Sequence, residues 1–234
     1  AQRIGLGSRE GSRLLMHRVV ARGGDPRRIG SEYLFLAETL GLPLADFAME
    51  VHVAPEDRRF ADRLIAGSGW GEGYAVICPF TTRPQKHWLE DRWGRLALAI
   101  RAQLELPVVM LGGPGDRTAA ARIVQGAPRA AHDLVGQTSL LQAAALIARS
   151  ALMIGVDTGL SHMGIAFGRP SLLLFGSTCP YLNTTRSNAR VLYHRLPCSP
   201  CRRKPTCDGD FTCMKLIAVE EVLSEARELV RGAA

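Results

Sequence analysis

Four short apolar runs punctuate the chain: YAVICPF (74–80), PVVML (107–111), ALMIGV (151–156) and SLLLF (171–175). Their hydrophobicity is continuous rather than alternating, the pattern of strands buried on both faces of a parallel sheet. Helical periodicity fills the intervals, at 91–104, 116–125, 139–149 and 160–167. In the third of these, Leu140, Leu141, Ala144, Ile147 and Ala148 share a face that is expected to meet the core. A strand at 190–194 and a helix at 219–230, with Val222, Leu223, Ala226, Leu229 and Val230 on one stripe, complete the series. Strands alternating with helices predict an open α/β sheet covered on both faces.

The first third reads differently. A strand at 3–6 is followed by a helix at 32–40, with Ser31 as N-cap and Gly41 and Pro43 as stop signals. A second helix starts at Pro55, a residue suited to the first helical position, and ends near residue 66. One strand and two helices cannot close a doubly wound sheet. The glycine-rich segment 67–73 then reads as a linker. The expected organisation is part of one unit at 1–66, a linker at 67–73, and a complete parallel-sheet unit at 74–234.

Composition narrows the function classes. No stretch approaches the ~20 apolar residues of a membrane-spanning helix, and the opening AQRIGLGSREGSR has no signal-peptide core. A start without an initiator Met suggests that the chain begins in mid-protein. The net charge of +7 points to an anionic partner: nucleic acid, a membrane surface or a phosphorylated small molecule. Nucleic acid fits worst, because no basic run interleaves with aromatics and no nucleic-acid-binding signature is present.

Chemistry concentrates where strands end. After the run at 151–156 come Asp157, Thr158, Gly159 and His162, directly before and within a helix. In open α/β sheets ligands bind outside the carboxyl ends of the strands. A helix N-terminus there offers free N–H groups and a positive dipole to an anion. Thr158 and His162 add donors, Gly159 lets the backbone turn tightly and approach a ligand, and Asp157 suits sugar hydroxyls beside a phosphate. The plainer reading is a helix cap with a surface histidine. A second strand end, PFTTRPQKHWLEDRW (79–93), carries Thr81, Thr82, Arg83, Lys86 and His87. Lys86 is a compact charge suited to a diphosphate, and Arg83 can add bidentate contacts. Its plainer reading is a solvated turn with Trp88 and Trp93 as core anchors. A third turn, Gly112-Gly113-Pro114-Gly115-Asp116, lacks the lysine-hydroxyl pair of a P-loop.

TTRPQKHW (81–88), GGPGD (112–116), DLVGQTSL (133–140), VDTGLSH (156–162) and FGSTCP (175–180) together resemble glycosyltransferase family 9, the ADP-heptose:lipopolysaccharide heptosyltransferases. They are most like the enzymes that add the first heptose to the inner core. The resemblance implies an α/β fold of two Rossmann-like domains (GT-B), with the carboxyl-terminal domain complete here and the amino-terminal, acceptor-binding one present in part. It implies inverting transfer of heptose from ADP-heptose to an anionic lipopolysaccharide-core acceptor, with no metal required, in the cytoplasm or at the inner membrane surface. Thr81, Thr82, Arg83 and Lys86 would bind the donor with Thr158, Gly159 and His162, while Asp157 and Lys86 would reach the heptose as catalytic groups. Thr138 stands where similar enzymes have Met against the adenine. The family's general base has no counterpart in 1–66. Two other readings stay open: another nucleotide-sugar transferase or epimerase of this architecture, and a non-catalytic nucleotide-binding module.

Four of six cysteines lie in CSPCRRKPTCDGDFTC (198–213). Cys198, Cys201, Cys207 and Cys213 have spacing that suits structural zinc, and reduced thiols or two disulfides are the alternatives. Arg202, Arg203 and Lys204 in the same loop are a candidate face for acidic lipid. Cys78 and Cys179 read as small buried residues.

Overall fold

The computed structural model describes residues 2–7, 12–44, 48–70, 73–178, 181–201 and 204–233. The chain opens with β1 (Ile4–Leu6), α1 (Ser12–Leu15), β2 (Arg18–Val20) and α2 (Ser31–Thr39). β1 and β2 pair in parallel, with Ile4 opposite Arg18 and Leu6 opposite Val20. The sequence suggested one strand here. RVV is too short, and too exposed at Arg18, to show a periodicity. Ser31 is not the N-cap of α2: Gly30 takes that place at φ +70°, a left-handed conformation open to glycine. Ser31 is instead the first helical residue, and it is buried.

α3 (Pro55–Ser68) begins with its proline at the first turn and stops at Gly69, whose φ of +70° ends the helix. The glycine-rich segment expected to link two units therefore starts inside α3. It also carries Trp70, a buried ring 5.0 Å from Tyr74 and 5.3 Å from His132.

Then come β3 (Ala75–Cys78), α4 (Glu90–Leu104), β4 (Val108–Met110), α5 (Arg117–Gly126), β5 (His132–Asp133), α6 (Leu140–Arg149), β6 (Leu152–Val156), α7 (Gly159–Ala166), β7 (Ser171–Phe175), β8 (Ala189–Tyr193), α8 (Thr212–Lys215) and α9 (Val219–Ala233). The six strands from β3 onward form one parallel sheet in the order β5-β4-β3-β6-β7-β8. Helices cover both faces. Trp93, Leu96 and Ile100 of α4 pack with Val222 and Leu229 of α9 on one side. Ala61 of α3 joins Ala144 and Ile147 of α6 on the other. Trp88 and Trp93 are core anchors, edge to face at 5.0 Å and 90°. The Trp88 indole N–H donates to the Ile217 carbonyl at 3.0 Å, and Arg92 donates to the Lys215 carbonyl at 2.6 Å. These bonds tie the segment after β3 to the carboxyl-terminal elements.

The strand order has a consequence for ligands. From β3 the chain moves outward through β4 to β5, then returns to lay β6 on the opposite flank of β3. The connections leaving β3 and β6 diverge to opposite sides, and a crevice opens between them. The two hydroxyl-rich segments at 79–93 and 157–162 leave the sheet at this point.

The predicted inward face of α6 needs correcting at its start. Ser139 caps the helix, its hydroxyl accepting from the Gln142 N–H at 3.1 Å while the Gln142 side-chain oxygen accepts from the Ser139 N–H at 2.9 Å. Ala143–Ile147 are buried, but Leu140 is 62% exposed and Leu141 42%. The first turn of α6 projects beyond the strand ends, so Leu140 lines a cavity instead of the core.

Candidate active site

Asp157 follows β6 directly, at the carboxyl edge of the sheet. Its carboxylate meets the Lys86 ammonium at 2.6 Å and the His162 Nε2 at 3.4 Å. It also accepts a hydrogen bond from the Thr178 hydroxyl. Burial alone would raise the Asp157 pKa; the donors from His162, Lys86 and Thr178 outweigh it and hold the carboxyl well below the usual range. Asp157 is therefore a fixed anion. It is also a crowded one, since a carboxylate has about four acceptor positions and three donors already address it.

Each partner is delivered by local structure. Lys86 ends a short 3-10 turn, Pro84–Lys86, which Pro84 opens and Arg83 precedes in extended backbone. The Thr81 hydroxyl donates to the Asp157 carbonyl at 3.0 Å, joining the two segments across the crevice. The His87 Nε2 lies 2.9 Å from the Thr81 carbonyl. His162 sits in the first turn of α7, where its N–H and that of Ser161 turn back to the Thr158 carbonyl. Thr158 occupies the N-cap position in extended backbone, and its side chain makes no cap bond. Its hydroxyl remains available for an incoming group.

Two glycines divide the structural and ligand demands. A Cβ on Gly155, in β6, would lie 2.2 Å from the Ser161 Oγ and 3.0 Å from the Cys78 Cβ. That glycine lets α7 sit close against the sheet. Gly159, expected to make a tight turn, is not in left-handed backbone, and a Cβ there would meet nothing within 4 Å. The open space beside it lies at the helix N-terminus.

A cavity of about 320 Å³ adjoins this cluster at Thr158. Its walls include Phe80, Leu111, Gly112, Leu140 and Leu160, with Thr138 at the side. The Gly112 turn is held by Asp116, which accepts from the Gly113 N–H at 2.8 Å. An apolar slot opening onto a cationic, hydroxyl-lined edge has the chemical layout of a nucleotide: a flat base at one end, phosphates at the other. A larger cavity, about 400 Å³, lies between α3 and α6 among Val51, Ala61 and Ala148. It is bounded by Arg149 at the end of α6, next to where β6 begins, and so away from the strand ends where such folds bind ligands.

The structure thus brings Lys86, Asp157, His162 and Thr81 into one network and sets Thr158 and Gly159 at its border. Thr82 is exposed and Arg83 half-buried in the same turn. Sequence reasoning missed Thr178, although its motif FGSTCP was noted, and Tyr181, whose hydroxyl lies 2.7 Å from the His162 Nδ1. It also missed Phe80, Leu111 and Leu160 as cavity walls. Continuous apolar runs look alike whether their last residue faces core or slot.

The zinc reading of the cysteine loop is not supported. Among the described residues no group of three or more His, Cys, Asp or Glu is arranged to hold a metal. A tetrahedral thiolate site needs four sulfurs about 2.3 Å from one point. Here Cys198 is exposed, while Cys213 is buried on α8 with its Sγ against Gly176. Burial raises the Cys213 and Cys201 thiol pKa values, favouring neutral thiols. Cys78 is buried as expected and pushed up to about 12. Cys179, Arg202 and Arg203 lie outside the described residues.

Comparison with known proteins gives the family and the fold. The model of glycosyltransferase family 9 (heptosyltransferase) matches residues 2–210. The chain is 28% identical over 193 residues to the lipopolysaccharide core heptosyltransferase OpsX of Haemophilus influenzae, covering 77% of this chain and 54% of that protein. It is 33% identical over 144 residues to lipopolysaccharide heptosyltransferase 1 of Pseudomonas aeruginosa, covering 61% and 40%. The solved ADP-heptose lipopolysaccharide heptosyltransferase II of E. coli superposes with a TM-score of 0.76 at 22% identity, over 99% of this chain and 70% of that one. The chain spans about half the length, or less, of these curated relatives. Its α/β fold is that of the Rossmann-like GT-B transferases. With the family pattern running through both segments of the crevice, the chain belongs to glycosyltransferase family 9, the heptosyltransferases.

Proposed function

We propose that this chain forms the donor-binding part of an inverting glycosyltransferase that moves heptose from ADP-heptose to the lipopolysaccharide inner core. The observation that carries the reading is the Lys86–Asp157–His162 cluster at the mouth of a nucleotide-sized slot, on the N-terminus of α7. The family membership and the likeness to an ADP-heptose-named enzyme support the donor. In this reading adenine enters between Phe80, Leu111 and Leu160, and the diphosphate lies across Thr158, Gly159 and the α7 N-terminus.

The residues then have separable tasks. As the anomeric C–O bond breaks, negative charge gathers on the departing ADP, and donors already in place lower that barrier. Lys86, His162 and the first N–H groups of α7 are such donors, and they need no metal to act. Thr81, Thr82 and Arg83 frame the same edge. Asp157 keeps Lys86 and His162 oriented and turns its remaining acceptor position to a sugar hydroxyl. Its depressed pKa makes it a poor proton acceptor, so the acceptor hydroxyl gives its proton to another base. Among the described residues no helix is long and apolar enough to cross a membrane. We place the enzyme in the cytoplasm, at the inner membrane face where its lipid acceptor resides.

Isothermal calorimetry against ADP, UDP and GDP tests the donor site. ADP binding, weakened in Lys86→Ala, is the expected outcome; equal binding of all three would remove the adenine assignment.

A further inference from the structure

The Lys86 ammonium is already paired within the chain. It meets the Asp157 carboxylate at 2.6 Å, and both side chains are largely buried. The Thr178 hydroxyl donates to the same carboxylate, which stays ionised at neutral pH. Thr158, the next residue, is the N-cap of α7, where the diphosphate is proposed to rest. A phosphate oxygen held by Lys86 at the usual ~2.8 Å lies no more than about 5.4 Å from the Asp157 oxygen, given their 2.6 Å contact. A fixed anion this close repels the phosphate, and more strongly the more charge the phosphate carries. That charge changes during sugar transfer. In a nucleoside diphosphate sugar the β-phosphate is a singly charged diester. When the anomeric C–O bond breaks, the bonding pair stays on the β-phosphate oxygen. The acceptor oxygen, after giving its proton to a base, forms the new bond to the sugar carbon. Free ADP therefore carries one more negative charge than the same group did as an ester, and carries it at the end nearest Asp157.

We propose that Asp157 is a specificity-determining residue whose charge sets the site to hold an ADP ester and to release free ADP. The proposal deepens the nucleotide-sugar reading of this edge and rests on it. An unpaired lysine would draw the more highly charged free nucleotide more strongly than its ester. Here a carboxylate in contact with Lys86 offsets that preference. The arrangement does not oppose bond cleavage, because the departing sugar carbon is electron-deficient and gives Asp157 a positive neighbour. Once the acceptor has filled that deficit, only the repulsion between Asp157 and the β-phosphate remains. Asp157→Asn isolates the effect, since the amide keeps an oxygen for Lys86 and Thr178 and loses the charge. Alanine would also remove the oxygen that positions Lys86.

Calorimetry of this chain against ADP and the methyl ester of its β-phosphate tests the proposal, at about pH 8, where the terminal phosphate is fully ionised. The two probes differ by one charge and one methyl group, and neither brings sugar hydroxyls. The ester should bind the unsubstituted protein at least as tightly as ADP, despite its smaller charge. In Asp157→Asn the ratio of ADP affinity to ester affinity should rise on the order of tenfold. ADP bound more tightly than the ester by the unsubstituted protein, or a ratio that ignores Asp157→Asn, overturns the role of Asp157 and leaves the nucleotide site standing. Failure of both probes to bind the unsubstituted protein would reject the nucleotide site itself, and this proposal with it. Should Asp157→Asn fail to fold, the comparison of the two probes on the unsubstituted protein still decides.

Discussion

Lys86 and Asp157 are partners at 2.6 Å with side chains only 17% and 15% exposed, so each is felt when the other is removed. Lys86→Ala should weaken ADP binding roughly 10- to 100-fold, the range of a lost hydrogen bond to a charged group, as read by calorimetry. Asp157→Ala should lower turnover in the full-length enzyme more than it lowers affinity for ADP, which lacks the sugar hydroxyls. Asp157 also makes stability depend on pH. Its carboxyl titrates lower in the folded protein than in the unfolded chain, so its contribution is complete above the unfolded value of about 3.9. That contribution is lost as the pH falls through the lower, folded value. Urea unfolding should therefore show Asp157→Asn less stable than the unsubstituted protein at pH 7, with the gap narrowing below pH ~4. Lys86, Asp157 and His162 were legible as polar residues at strand ends. Tyr181 and Thr178 were not singled out, although they follow β7 as Asp157 follows β6.

At the scale of elements, Gly155 of β6 and Gly159 of α7 separate folding from binding. Gly155→Ala drives a methyl into Ser161 and Cys78 and should cost about 1–3 kcal/mol of stability, measured by chemical unfolding. Gly159→Ala meets open space and should leave stability nearly unchanged while reducing ADP affinity, because its methyl enters the room beside the helix N-terminus. Equal loss of stability in both would show that Gly159 serves the fold. The strands from β3 to β8 were readable except β5, since continuous apolar runs announce buried parallel strands; His132–Asp133 is too short and polar for that signal. α6 was placed correctly but turned wrongly at Leu140, because periodicity cannot tell a core from a ligand slot. β2 and the Gly30 cap of α2 were missed for want of residues: three positions carry no period, and a left-handed cap shows only as one more glycine.

For the molecule as a whole, charge is distributed unevenly. Residues 169–215 hold eight Lys and Arg against two Asp and Glu, nearly all of the net +7. If the proposed place at the membrane face is right, this excess should give binding to anionic vesicles that fades between about 0.05 and 0.2 M salt, as screening shortens its reach. Co-sedimentation that is indifferent to lipid charge would contradict it. The central claim is narrower: the crevice between β3 and β6 is an ADP site. Thermal unfolding of this chain with nucleotide tests it most directly. With ADP at a hundredfold its dissociation constant, stability should rise by about 2.7 kcal/mol, and Lys86→Ala should shift the ADP concentration required upward. An upward shift in Tm with UDP and none with ADP would contradict the account.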